Sequence, residues 1–223
     1  MILLKRLYKY IDKAEYAEKM LSAGEIRIGT LYSYRAQEQF GDVVGDAAEG
    51  IVRVTDHYVD EAIPNDPARR TRLANRVFKG GTDMRLINVR FTFPEESADY
   101  FLYCVAYRFS GRAARAFRAV SCIVVTDPGP FLKYISNAMT ERGHSLRDVV
   151  TPCTYTSRTR SVNLPRLHPA SVKGPEYSYQ REVRMIFDPT PSAKMEPFNI
   201  TIPEIRRYLR VRPLDGPKQH VAP

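Results

Sequence analysis

Proline placement limits this chain more than any other feature of its sequence. Fourteen of its 16 prolines fall at or after Pro94. A proline in a helix interior removes a backbone donor and clashes with the preceding turn. Everything from Pro94 onward therefore predicts a sheet interrupted by loops, not a helical bundle. Strand-like stretches occur at residues 84–93, 100–109, 120–125, 149–156, 177–187, 198–202 and 205–211, most of them rich in β-branched and aromatic residues. Before them the chain reads as a strand over 2–10, a helix, and strands over 25–29 and 51–59. Asp12 with Glu15 has capping-box spacing, Ala14, Ala17, Met20 and Leu21 form the apolar stripe, and Gly24 supplies the stop. Two more helices are predicted, a basic one opening at Asp66-Pro67 and running to about Phe78, and one from Asp127-Pro128 to near Gly143. Residues 157–175 read as a long loop.

Composition narrows the class. With 43% hydrophobic and 26% charged residues the chain is neither disordered nor fibrous. At 223 residues it is long enough to bury about 70% of its unfolded surface. Cys104, Cys122 and Cys153 are an odd number without a C-x-x-C pair, which points to a reducing compartment. No signal-like or membrane-spanning apolar run is present, so the expectation is one cytoplasmic α+β domain over 1–223, away from membranes. The formal charge of +9 points to anionic partners. That charge is uneven. Residues 38–66 hold eight acids and one arginine, whereas 100–126 hold four arginines and no acid, and 151–175 four bases and no acid. The basic stretches fit solvated faces, or loops lining a cleft for a phosphate-bearing ligand or nucleic acid.

Several chemistries lack their motifs. There is no G-x-x-x-x-G-K-[ST], G-x-G-x-x-G or G-x-S-x-G, and the four histidines have no ligand spacing. Two constellations remain. Residues 29–50 gather Tyr32, Tyr34, Arg35 and the acids Glu38, Asp42, Asp46 and Glu49. Asp42, Asp46 and Glu49 offer oxygen ligands to a hard cation. Alternatively, Arg35 pairs with Glu38 or Glu49 and fixes the tyrosines. In residues 177–187, strand alternation puts Gln180, Glu182 and Arg184 on one face, a charged set inside an apolar strand. It reads either as a surface salt bridge or as a carboxylate held by its arginine in a cleft.

These pieces, taken in order, resemble a set of uncharacterised bacterial and phage proteins. The matching motifs are Leu7-Tyr8-Lys9-Tyr10, Gly45-Asp46-Ala47-Ala48-Glu49-Gly50, Phe101-Leu102-Tyr103-Cys104 and Tyr179-Gln180-Arg181-Glu182-Val183-Arg184. The arrangement in turn is similar to the ADP-ribosyltransferase core. That resemblance implies a split, curved, mostly antiparallel sheet with a few helices, binding NAD. It implies Lys9 or Tyr8 at the first position, where the family carries His or Arg, and Tyr32 or Tyr34 near the nicotinamide. Glu182 is the implied catalytic acid. Tyr10, Arg35 and Arg184 complete the implied cofactor-binding set, with Arg108 and Arg112 as candidates for the pyrophosphate and no metal. The implied role is transfer of ADP-ribose to a protein or nucleic acid in a bacterial or phage conflict system, such as a toxin–antitoxin or phage-defence pair. The rival expectations are a non-enzymatic basic module that binds nucleic acid or protein, and a metal-dependent nuclease-like protein using the loop of Asp42, Asp46 and Glu49.

Overall fold

The computed structural model describes residues 4–35, 46–64, 66–70, 72–78 and 84–214. The chain starts with β1 (Leu7–Ile11), α1 (Ala14–Ala23) and β2 (Glu25–Thr30). α1 stops at Gly24, whose φ is 73°, and a Cβ there would lie 2.1 Å from the Ile202 carbonyl oxygen. Only glycine satisfies both demands. Its N-cap is Lys13, without a side-chain cap, and not Asp12. A 3-10 turn, Tyr32–Arg35, follows β2. β3 (Ile51–Ile63) and β4 (Met84–Glu96) form a long antiparallel ribbon. Both outrun their expected ends, and β4 includes Pro94, which is tolerated because β4 is the edge of its three-stranded sheet.

The basic helix expected between the ribbon strands breaks in two, a 3-10 turn at Pro67–Arg69 and α2 (Arg72–Val77). Arg70 turns back between them and donates to the Pro64 and Phe78 carbonyls at 2.5 and 2.9 Å. After β5 (Phe101–Ala106) comes a helix that is not among those expected, α3 (Gly111–Ala116). Its N-cap Ser110 accepts from the Ala113 N–H. β6 (Ser121–Val125) and α4 (Pro128–Glu141) match expectation closely, with Phe131, Leu132, Ile135 and Met139 buried along α4. β7 (Ser145–Pro152) and β8 (Thr154–Tyr155) follow, and the expected long loop contains β9 (Thr159–Ser161) and β10 (Val172–Lys173). β11 (Glu182–Asp188), β12 (Phe198–Thr201) and β13 (Leu209–Arg212) close the fold. β11 and β13 are shorter than expected because Pro175 and Pro203 each open a 3-10 turn, Pro175–Gln180 and Pro203–Tyr208.

The architecture is α+β and mostly antiparallel. Its main sheet has eight strands in the order β12-β2-β5-β1-β6-β13, with β11 and then β7 branching from β5. One face, built from Phe101, Tyr103, Val105, Val183, Met185 and Phe187, buries α1 and α4. A smaller cluster of Leu31, Tyr100, Leu102, Ala170 and Ile186 lies elsewhere on the sheet. Each fully buried Phe or Ile in these clusters contributes about 1.5–3 kcal/mol.

One topological detail positions everything that follows. β11 pairs with β5 from Phe101 to Ala106 along one edge. On the other edge β2 pairs with Phe101 and Leu102, while β1 pairs at Ala106. β1 and β2 therefore diverge, and the stretch Tyr103–Val105 faces a fork. Lys9 Nζ fills it and donates to the Cys104 carbonyl at 2.8 Å, standing in for the missing strand.

Candidate functional site

A cavity of about 1190 Å³ occupies the fork. β1 lends it Tyr8, Lys9 and Tyr10; β2 lends Arg27 and Gly29; β5 lends Tyr103 and Cys104. Tyr34 reaches in across Gly29, with its hydroxyl 2.7 Å from where a Cβ on residue 29 would stand. Glycine at 29 is what lets that ring lie over β2.

β11 starts abruptly. Arg181 is left-handed, with φ 49°, and this residue ends the 3-10 turn so that the extended chain begins at Glu182. The Glu182 N–H donates to Tyr155 Oη at 2.7 Å. Its carboxylate is used at both oxygens: Oε1 accepts from Arg184 Nε and Oε2 from Lys173 Nζ, each at 2.6 Å. Lys173 also donates to Gln180 Oε1 at 2.6 Å. Arg184, 1% exposed, turns its other end to Glu49, at 2.7 and 3.1 Å, and to the Ala170 carbonyl at 2.5 Å. The result is a buried chain Glu49–Arg184–Glu182–Lys173–Gln180 holding two acids and two cations. Next to it Arg158 pairs with Asp46 and with the Ala48 carbonyl.

Burial alone would raise the Glu182 pKa, but Arg184 and Lys173 override it and hold the carboxyl well below its ordinary value. Burial works to lower the Lys173 pKa, but Glu182, with Glu49 and Cys153 behind it, pushes it up to about 12. Glu182 is thus a permanent anion, suited to stabilising positive charge and unsuited to carrying a proton near neutrality. Lys9 behaves oppositely: desolvation by burial lowers its pKa, Cys104 and Glu182 only partly offset it, and the nearby Arg27 adds a smaller lowering. Burial raises Tyr34 well above its usual value and lifts the Cys104 thiol to about 12, so this cysteine is no nucleophile.

Of the residues expected from sequence, Tyr8, Lys9, Tyr10, Tyr34, Glu182 and Arg184 line this one cavity. Tyr32 and Arg35 lie outside its lining. In a 3-10 turn, residues two apart point different ways, so Tyr32 parts from Tyr34. It stacks under Arg35, 3.8 Å from ring centroid to guanidinium, and donates to the Ser97 carbonyl. Arg35 pairs with Glu96 and, through Nε, with the Glu49 carbonyl, so it braces the backbone of Glu49 and not its carboxylate. Glu38 and Asp42 fall outside the described residues. Among the described residues no group of three His, Cys, Asp or Glu side chains is placed to hold a metal. Arg108 and Arg112 are exposed and do not line the cavity. Sequence reasoning missed Lys173, Gln180 as its second acceptor, and Tyr155. The one signal for Lys173 was a single lysine in an apolar Ala-Ser-Val-Lys-Gly-Pro segment. No protein-family model, no curated protein and no solved structure matches this chain.

Proposed function

We propose that the fork binds NAD and that the chain is an ADP-ribosyltransferase-like enzyme, transferring ADP-ribose to a macromolecular acceptor. The observation that carries this reading is Glu182, kept ionised by Arg184 and Lys173 in the wall of the cavity that Tyr8, Lys9 and Tyr10 also line.

The remaining groups fit a dinucleotide. The volume of about 1190 Å³ exceeds the about 300–1,000 Å³ usual for ligand sites, so a dinucleotide fits with room to spare. Six cationic and three acidic side chains line it, with five tyrosines and one phenylalanine. Lys173 and Arg184 are committed to carboxylates, whereas Arg27 is in no ion pair among the described residues and adds to the positive potential that lowers Lys9. A pyrophosphate beside Lys9 and Arg27 relieves that repulsion, and the ammonium still has two N–H groups beyond its bond to Cys104. The Tyr103 hydroxyl, buried without a hydrogen-bond partner among the described residues, supplies a further donor at the wall.

Breaking the nicotinamide–ribose bond builds positive charge on the sugar, as in glycoside cleavage. A fixed anion in a water-poor wall stabilises that charge without reorganising. Each Glu182 oxygen keeps a lone pair beyond its present partner and can accept from a ribose hydroxyl. The test is nicotinamide release from NAD by the purified protein, alone and with candidate acceptors. Glu182→Gln keeps the side chain's shape and should lower release by about 100-fold or more, with circular dichroism confirming the fold. NAD binding without release under every condition would instead leave a nucleotide-binding module.

A further inference from the structure

On its β1 side, beyond Asp12 at the rim, the cavity opens onto a surface whose three strands carry no acid. β1, β6 and β13 lie side by side, and their register sets Tyr8, Val124 and Arg210 in one row and Tyr10, Cys122 and Arg212 in the next but one. Side chains in such cross-strand rows share a face. Two tyrosines that line the cavity therefore share a sheet face with two exposed arginines. The turn before α3 and the end of α3 extend the same surface. Phe109 sits 5.9 Å from Tyr8 and 6.1 Å from Tyr10, and Phe117 sits 5.6 Å from Tyr10. Arg212 stacks on Phe109 at 4.0 Å, and Arg112 on Tyr179 at 4.6 Å. Arg108, Arg112, Arg115, Arg118, Arg210 and Arg212 are all exposed. Neither the three strands nor residues 107–120 contain an aspartate or glutamate.

The geometry points to single-stranded nucleic acid as the acceptor, docked across this surface with a nucleotide directed into the fork; this assignment rests on the ADP-ribosyl transfer reading. Half-exposed rings flanked by guanidinium groups are what unpaired bases stack on, while neighbouring arginines hold the phosphates. A duplex keeps its base faces internal and gains nothing from the rings. An acidic protein would meet the arginines but leave the aromatic faces unused. In the transfer step the C1′–N bond to nicotinamide breaks and its electron pair leaves with nicotinamide. A nucleophilic nitrogen or oxygen of the strand forms the new bond to C1′, and its proton passes to solvent, since Glu182 stays ionised.

The experiment uses a fluorescein-labelled 12-nucleotide single strand, as DNA and as RNA, in anisotropy titrations of the full chain over a salt series without NAD. Six phosphate contacts predict a slope of log K against log salt of about −4. The variant Arg108→Gln/Arg112→Gln/Arg210→Gln/Arg212→Gln, in residues outside the cavity lining, should flatten it to about −1.5. Phe109→Leu should weaken binding about tenfold through lost stacking. With NAD added, the strand should gain the mass of one ADP-ribose with the wild type and far less with the quadruple variant, whose nicotinamide release without a strand stays at the wild-type rate. Nicotinamide release with no strand binding, or with duplex bound as tightly as single strand, overturns the inference and leaves the NAD site standing. Strand binding with both signatures but no nicotinamide release upholds the surface and sinks the transferase reading instead.

Discussion

Arg184→Met is the most informative single change, because one side chain joins both carboxylates of the buried network. Methionine fills a similar volume and rotamer space, so the test isolates charge and hydrogen bonding from cavity formation. The wild-type guanidinium is 1% exposed and gives four hydrogen bonds, two to Glu49, one to Glu182 and one to the Ala170 carbonyl. Its removal leaves Glu49, 1% exposed, without an ion pair among the described residues. Breaking a buried pair from one side costs about 3–5 kcal/mol. That is a large share of a total stability of about 5–15 kcal/mol. For a chain of this length it lowers Tm by roughly 6–20 °C. Urea unfolding can be followed by tyrosine emission, since the chain has 14 tyrosines and no tryptophan. Adding Glu49→Gln removes the stranded charge and should recover about 1–3 kcal/mol, the size of coupling expected between contacting residues. If Arg184→Met loses less than about 1 kcal/mol, or Glu49→Gln recovers nothing in its background, the network is not what holds Glu182, and its fixed ionisation loses its basis.

Two further outcomes follow from the same geometry. The depressed Glu182 pKa contributes stability above the ordinary carboxyl value of about 4.3 that disappears only as pH falls through the lower folded value. Lys173 contributes below the ordinary lysine value, and that contribution is lost as pH rises through about 12. Nicotinamide release should therefore run flat from about pH 5 upward, with no acid limb, until Lys9 loses its proton below its ordinary value of about 10.4 and KM for NAD rises; a limb near pH 6, or a basic limb unchanged in Lys9→Met, contradicts this. Gly29→Ala should cost about 1–3 kcal/mol by overpacking against Tyr34 and weaken NAD binding by calorimetry, whereas wild-type affinity would remove Tyr34 from the site.

How much of this was legible in the sequence depended on whether the cause was local. α4 declared itself through Pro128 at its start and an apolar stripe at helical spacing, and α1 through Gly24. The strand over 177–187 misled because its aromatic alternation continues past the point where Pro175 and the left-handed Arg181 take over. The site shows the same division more sharply. Glu182 and Arg184 are two apart on one strand, so their pairing follows from alternation alone. Glu49 meets Arg184 across 135 positions of chain, and Lys173 comes from the two-residue β10, which pairs in parallel with an equally short β8. No periodicity encodes such meetings. What does encode them is the cost of burial: a Glu–x–Arg pair inside a strand of apolar residues demands a second cation for the carboxylate and a second anion for the guanidinium. Counting charges in that strand therefore says that a distant anion and a distant cation must exist. The acid-rich stretch around Asp46 and Glu49 is where the anion lies, whereas the cation, Lys173, is one of 34 Lys and Arg residues that the count alone does not separate.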